Sequence, residues 1–154
     1  MIYKPENYSL VSGVGKSKYK LSAFDDALIE AGIGDYNLVK VSSILPSGCR
    51  YCSEIPKGDG RMLLAAYSTI TVSAGEKAET AVAVAVPQSS NDSGVIFETS
   101  LLNSNHQAAN IVQEMCTEAM INRNKNAKSI KCSSQQISGE DGIFVSAISA
   151  VVMW

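Results

Sequence analysis

No stretch of these 154 residues offers the roughly 18 unbroken apolar positions that a membrane-crossing helix needs. The apolar C-terminus, 143–154, is too short to span and reads as a buried final strand. The opening Met1-Ile2-Tyr3-Lys4-Pro5-Glu6-Asn7 lacks the apolar segment of a secretory signal, so a soluble cytoplasmic protein with no membrane partner is expected. Charge of either sign is not in excess: 13 basic residues face 15 acidic ones, with no run of like charge. That leaves no cationic surface for a nucleic acid. Histidine is scarce, and His106, the single one, stands near a predicted helix start with no nucleophile paired to it. Cysteine is present but sparse. Cys49, Cys52, Cys116 and Cys132 read as free thiols rather than a disulfide framework in an untargeted chain. The Cys49–Cys52 pair has C-x-x-C spacing, but Cys116, Cys132 and His106 offer no matching second pair, so no metal is expected. A turn-rich loop follows that pair instead of a helix that would lower a thiol pKa, which argues against redox chemistry. Gly15-Lys16-Ser17 resembles the tail of a phosphate loop, but Leu10 stands where that motif requires its first glycine.

What is present fits one domain of 154 residues, long enough to bury a sizeable core. A strand is expected from Tyr8 to Val14, followed by a flexible turn at Gly13 and Gly15. Ser22 reads as the N-cap of a short helix, with Asp25 in its first turn and Phe24, Ala27, Leu28 and Ala31 along its apolar stripe. Gly32 and Gly34 end that helix and lead into a strand-like run, 37–46, expected to pack beside it. An irregular connection rich in turn formers follows to Gly60. Strands are predicted over 61–72 and 78–86. In the second, small Ala alternates with branched Val, the pattern of a strand covered on both faces with its Ala face against something close. A short strand at 94–99 places Glu98 at the end of an apolar run. The longest helix is predicted over 105–123, with Ala108, Ile111, Val112, Met115, Ala119 and Met120 as its stripe and Arg123 and Lys125 at the end where its dipole favours cations. Two final strands, 127–137 and 142–153, flank a Ser-Gly-Glu-Asp-Gly turn. Strands that follow one another without intervening helices imply an α+β fold with largely antiparallel sheets and helices laid outside.

The run 37–46 ends in two adjacent serines, Ser42 and Ser43. The hydroxyl of Ser43 can add to the carbonyl of Ser42 and turn the amide into an ester; elimination and hydrolysis then leave a pyruvoyl group on a new N-terminus. Such an attack needs the oxygen held near the carbonyl and a donor to steady the oxyanion. Asn37, earlier in the same run, could supply an amide N–H.

Ala23-Phe24-Asp25, Ala31-Gly32-Ile33-Gly34-Asp35-Tyr36-Asn37-Leu38 and Val41-Ser42-Ser43-Ile44-Leu45-Pro46 closely resemble the pyruvoyl-dependent arginine decarboxylases. The resemblance covers most of the chain and continues through Gly94-Val95-Ile96-Phe97-Glu98 and the apolar C-terminus. It implies a four-layer αββα sandwich, assembled as a homotrimer of cleaved protomers with active sites between subunits. It further implies cleavage into a small subunit, 1–42, ending at Ser42, and a large subunit, 43–154, whose Ser43 becomes the covalent pyruvoyl cofactor. Asn37 matches the residue that assists self-cleavage, Glu98 the proton donor, and Asp25 an acidic residue near the guanidinium of the substrate. The implied reaction converts L-arginine to agmatine and carbon dioxide through a Schiff base on the pyruvoyl group, with neither pyridoxal phosphate nor metal.

A carboxyl donates a proton at neutral pH only if burial raises its pKa, and Val95, Ile96 and Phe97 favour that for Glu98. The competing reading is an edge-strand glutamate facing water. Asp25 competes in the same way with a first-turn carboxylate that serves only the helix dipole. Two other functions stay open at this point: a decarboxylase of another amino acid, or an unprocessed, non-catalytic trimeric scaffold. The physiological role, polyamine biosynthesis or acid resistance, is open as well.

Overall fold

The structure, a computed structural model, describes residues 2–154. In chain order its elements are β1 (Asn7–Ser17), α1 (Lys20–Glu30), β2 (Asn37–Lys40), β3 (Ile44–Leu45), β4 (Arg50–Tyr51), β5 (Met62–Val72), β6 (Lys77–Pro87), β7 (Gly94–Leu102), α2 (Ala108–Asn122), β8 (Ala127–Ser138) and β9 (Phe144–Met153). They form a five-stranded sheet, β2-β5-β9-β1-β4, and a four-stranded sheet, β3-β7-β6-β8. Pairing is antiparallel except for β1 with β4 and β2 with β5. Among the described residues no helix is long and apolar enough to cross a membrane.

Side-chain alternation along the central strands sets the layers. On β9, Ile148, Ala150 and Val152 join Ala27, Leu28 and Ile33 under α1, while Val151 and Met153 face Val82, Val84 and Ile96 of the second sheet. On β6, Val82 and Val84 face the first sheet, and Ala81, Ala83 and Ala85 meet Ala108, Val112, Cys116 and Ala119 of α2. The order is therefore α1, five-stranded sheet, four-stranded sheet, α2. This is the α+β layered sandwich expected from the sequence, and the alanine face of β6 is the one a helix approaches. Buried hydroxyls between the sheets are satisfied: Thr80 and Ser149 bond each other at 2.7 Å, and Ser68 donates to the Ala81 carbonyl. At the β4/β8 edge, Lys131 crosses the gap to lie over the Tyr51 ring, 4.0 Å from its centroid.

Several local expectations give way to tertiary contacts. Gly13 and Gly15 do not form a turn; β1 runs straight through them to Ser17. A Cβ on Gly13 would lie 2.2 Å from the Ala27 carbonyl oxygen, and one on Gly15 would lie 2.2 Å from that of Ala23. Their role is to let α1 lie directly on the strand. That helix starts at Lys20 with Tyr19 as its N-cap, so Ser22 sits inside its first turn rather than ahead of it. Met115 is 37% exposed, and Cys116 takes the buried place on α2 in its stead. The same helix begins at Ala108 rather than Asn105. Asn103 and His106 both take positive φ, and the buried carboxylate of Glu79 accepts the Ser104 hydroxyl and the Gln107 N–H. Burial pushes the Glu79 carboxyl up, but these donors outweigh it and hold it below the usual carboxylate range. The run 37–46 is not one strand: β2 belongs to the first sheet and β3 to the second. Nor is α1 the main neighbour of β2, because that helix lies chiefly on β1 and β9.

Gly15→Ala must push β1 and α1 apart, and a loss of about 2–3 kcal/mol is expected from overpacking of this kind. Urea unfolding measures it; a change within about 0.5 kcal/mol, the usual range for surface substitutions, would contradict the close approach.

Candidate active site

The serine pair sits where the chain crosses from one sheet to the other. The Val41 N–H still donates to the Ala65 carbonyl at 3.0 Å, extending the β2 pairing. Two residues later the Ser43 carbonyl accepts the N–H of Ile96 at 2.8 Å, and Ile44 and Leu45 pair with Val95 and Gly94. Val41 and Leu45 both plug the core between the sheets, which fixes the two ends of the crossing and leaves 42–44 at its surface. Pro46 reinforces the extended conformation of Leu45. Within the crossing, the Ile44 N–H donates to the Ser42 carbonyl at 3.0 Å, closing a three-residue turn centred on Ser43. Ser42 is exposed and Ser43 half-buried.

Glu98 lies on β7, two residues beyond the Ile96 N–H that holds Ser43. It pairs in register with Val82 and, by alternation, shares the inward face of Ile96. Its Oε2 is buried without a hydrogen-bond partner. Burial pushes the carboxyl above its ordinary range, an effect that the charge of Lys40 partly offsets. The water-facing edge glutamate is therefore excluded. Lys40, at the end of β2, rests over the Tyr67 ring at 4.7 Å. Sequence reasoning passed over both residues; the one signal for Lys40 is a cation in an otherwise apolar run three residues before Ser43.

The remaining candidates stand elsewhere in the chain. Asn37 opens β2, and its side-chain amide donates to the Gly60 carbonyl at 2.8 Å. Asp25 is on the exposed face of α1, in the outer layer and across the first sheet from Glu98. One chain thus sets Ser42 and Ser43 beside the strand that carries Glu98, while the Asn37 amide is engaged by Gly60 and Asp25 lies in the outer layer. His106 shares a hydrogen bond with Gln136, and Cys49 is a free thiol that burial pushes up to about 11.

A chain of this architecture, an α+β layered sandwich with a serine pair at the crossing between its sheets, is placed in a class by comparison with known families. Residues 7–154 match the family described as pyruvoyl-dependent arginine decarboxylase, and the chain belongs to that family. Members of it depend on a covalently bound pyruvoyl group. Among particular relatives, the pyruvoyl-dependent arginine decarboxylase of Thermococcus sibiricus is 33% identical over 152 residues, 97% of this chain and 95% of its own. That of Pyrococcus furiosus is 31% identical over 153 residues, covering 97% and 96%. That of Methanococcus aeolicus is 36% identical over 113 residues, covering 72% and 68%. The residues present fit such a group: an unpartnered, buried carboxyl oxygen stands on the strand that pins Ser43.

The raised Glu98 pKa has a thermodynamic signature. The folded chain keeps this proton to higher pH than the unfolded one, so ionisation removes stability as pH rises from about 4.3 through the folded pKa. Glu98→Gln abolishes that loss. Its stability relative to wild type should rise between pH 4 and pH 7 in urea unfolding; a constant or falling difference would contradict the burial of the carboxyl.

Proposed function

We propose that this protein is a self-processing enzyme that decarboxylates L-arginine, a small-molecule substrate, to agmatine and carbon dioxide. The observation that carries the proposal is the buried, unpartnered carboxyl of Glu98 on the strand that anchors Ser43. Family membership over residues 7–154 supports the reaction class, and the names of the relatives support arginine as substrate.

Processing makes the reactive group from the chain itself. The Ser43 hydroxyl oxygen adds to the Ser42 carbonyl carbon, the C–N bond between the two residues breaks, and the nitrogen takes up a proton, leaving an ester. Loss of the Ser43 α-proton then breaks its Cβ–Oγ bond and releases 1–42 as a carboxylate. Water replaces the nitrogen, which leaves as ammonia, and residue 43 is now the pyruvoyl terminus of 43–154. When in place, this group supplies a ketone that takes up the electron pair freed with carbon dioxide.

The other roles fall to this chain's own side chains. Burial raises the Glu98 carboxyl above its ordinary range, and Glu98 delivers its proton to the α-carbon of the product. The apolar core at Val82 and Ile96 shields that carboxyl from water. Asp25 and Asn37 are both exposed, which suits a homotrimer in which they complete a neighbour's site. There the Asp25 carboxylate would receive the planar guanidinium through paired hydrogen bonds, and Asn37 would assist processing.

Release of labelled carbon dioxide, assayed across arginine, lysine, ornithine, histidine and aspartate, tests the reading. Arginine should be the substrate, Ser43→Ala should abolish release, and Glu98→Gln should slow it by about 10²-fold or more. Release from another amino acid in place of arginine would overturn the substrate, and activity in Ser43→Ala would overturn the pyruvoyl assignment.

A further inference from the structure

We propose that Ser68 and Ser100 return to Glu98, from solvent, the proton it spends in each turnover. This rests on the decarboxylase reading above and adds to it two positioning residues. The reaction consumes a proton: the carboxylate of the substrate leaves as neutral carbon dioxide, its electron pair stays on the α-carbon, and the Glu98 O–H supplies the hydrogen that takes its place. Glu98 is left as a carboxylate with one oxygen buried and unpartnered. A charge in that place is costly, and the next turnover waits until the proton is replaced.

A polar belt crosses the sandwich beside this carboxyl. On the inward face of the first sheet, Ser68, Ser149 and Ser12 stand in register on β5, β9 and β1. On the inward face of the second, Ser100, Thr80 and Gln135 do the same on β7, β6 and β8. The rows meet across the gap: Thr80 and Ser149 share a hydrogen bond at 2.7 Å, and the Gln135 amide donates to Ser12 Oγ at 3.0 Å. Every position of the belt is polar, whereas the rungs of the first sheet on either side of it read Ile70, Ala147, Val14 and Ala66, Val151, Leu10. Packing does not require this, because replacing both members of a buried hydrogen-bonded pair by apolar groups is close to neutral.

Glu98 occupies the rung next to the belt. It stands two residues before Ser100 on the same face of β7, roughly 7 Å along the strand, and its register partner is Val82. The Ser68 hydroxyl donates to the carbonyl of Ala81, the residue beside Val82, at 3.3 Å. That length is long for a hydroxyl donor, so the hydroxyl turns away from it at little cost. Ser100 is exposed, Ser68 is 8% exposed, and Thr80 and Ser149 beyond them are fully buried. The proton route therefore enters from the β7 side. Solvent gives a proton to Ser100, each hydroxyl takes up one proton and passes on its own, directly or through a bridging water, and the last reaches the Glu98 carboxylate. Only O–H bonds break and form, and both serines end as they began.

The proton exchange of Glu98 is measurable apart from turnover. In the full chain carrying Ser43→Ala, the carbon-13-labelled Glu98 carboxyl is followed by NMR through its titration and assigned by its loss in Glu98→Gln. Fast exchange gives one line that moves with pH. Ser68→Ala with Ser100→Ala should slow exchange about 10²-fold and broaden or split that line. Ser68→Thr with Ser100→Thr, which keeps both hydroxyls, should restore it. In the processed enzyme, rapid quench with arginine should show the alanine variant forming its first agmatine per site at the wild-type rate and later ones about 10²-fold more slowly, with imidazole buffer speeding the later ones. One sharp moving line in the alanine variant, or first and later turnovers slowed alike, overturns the inference. If the double variant does not fold, as read by circular dichroism, Ser100→Ala at its exposed position decides alone. A wild-type enzyme that releases no carbon dioxide from any amino acid removes the decarboxylase reading instead, and the line shape still reports whether the two serines carry the proton.

Discussion

The chain must leave one sheet and enter the other within five residues, and this stitch between Val41 and Leu45 is what the rest of the site depends on. A hydrogen bond to Ala65 secures it on one side and a hydrogen bond from Ile96 on the other. Two apolar side chains sunk in the core between the sheets hold it down. With both ends fixed, the intervening peptide has little choice but to bend, and it bends at Ser43. The strand that receives the chain, β7, is the same one that carries Glu98 two residues further on. Stitch and buried carboxyl are thereby set in one piece of rigid backbone, the kind of support that a reacting constellation needs.

Close layering makes that support stiff. The glycines of β1 allow α1 to rest on bare backbone, and the alanines of β6 let α2 do nearly the same on the opposite side. Between the sheets, by contrast, the valines of β6 and the large side chains of β9 and β7 fill the gap. The carboxyl of Glu98 enters this apolar interior without a partner, which raises the free energy of its charged form. A group held in that way keeps its proton to higher pH than an exposed glutamate does.

Patterns that depend on one strand or helix alone were legible in the sequence. The alternation of Ala81 to Val86 announced a strand covered on both faces, and the stripe from Ala108 to Met120 announced the helix that covers one of them. Period-two alternation does not name a partner, however, so 37–46 read as a single strand although its halves belong to different sheets. Gly13 and Gly15 read as a turn because their lack of a side chain serves a helix distant in sequence, a contact that local propensity does not encode. Ser42, Ser43 and Glu98 were singled out from motif and resemblance, and the fold sets Glu98 on the strand that holds Ser43. The hydrogen bond from the Ile44 N–H to the Ser42 carbonyl was not legible, because every residue but proline carries an N–H and only the crossing gives it a direction. Lys40 showed only as a cation in an apolar run, and its seat over Tyr67 emerged only when parallel pairing brought β2 beside β5.

The central claim is that the stitch is cut between Ser42 and Ser43 and that residue 43 then bears a ketone. Intact-mass analysis of the purified wild-type chain tests it most directly. The account predicts two species, 1–42 and 43–154, the second lacking the amine of Ser43 and gaining mass with a carbonyl reagent. A single uncut chain of 154 residues, unreactive to that reagent, would contradict it.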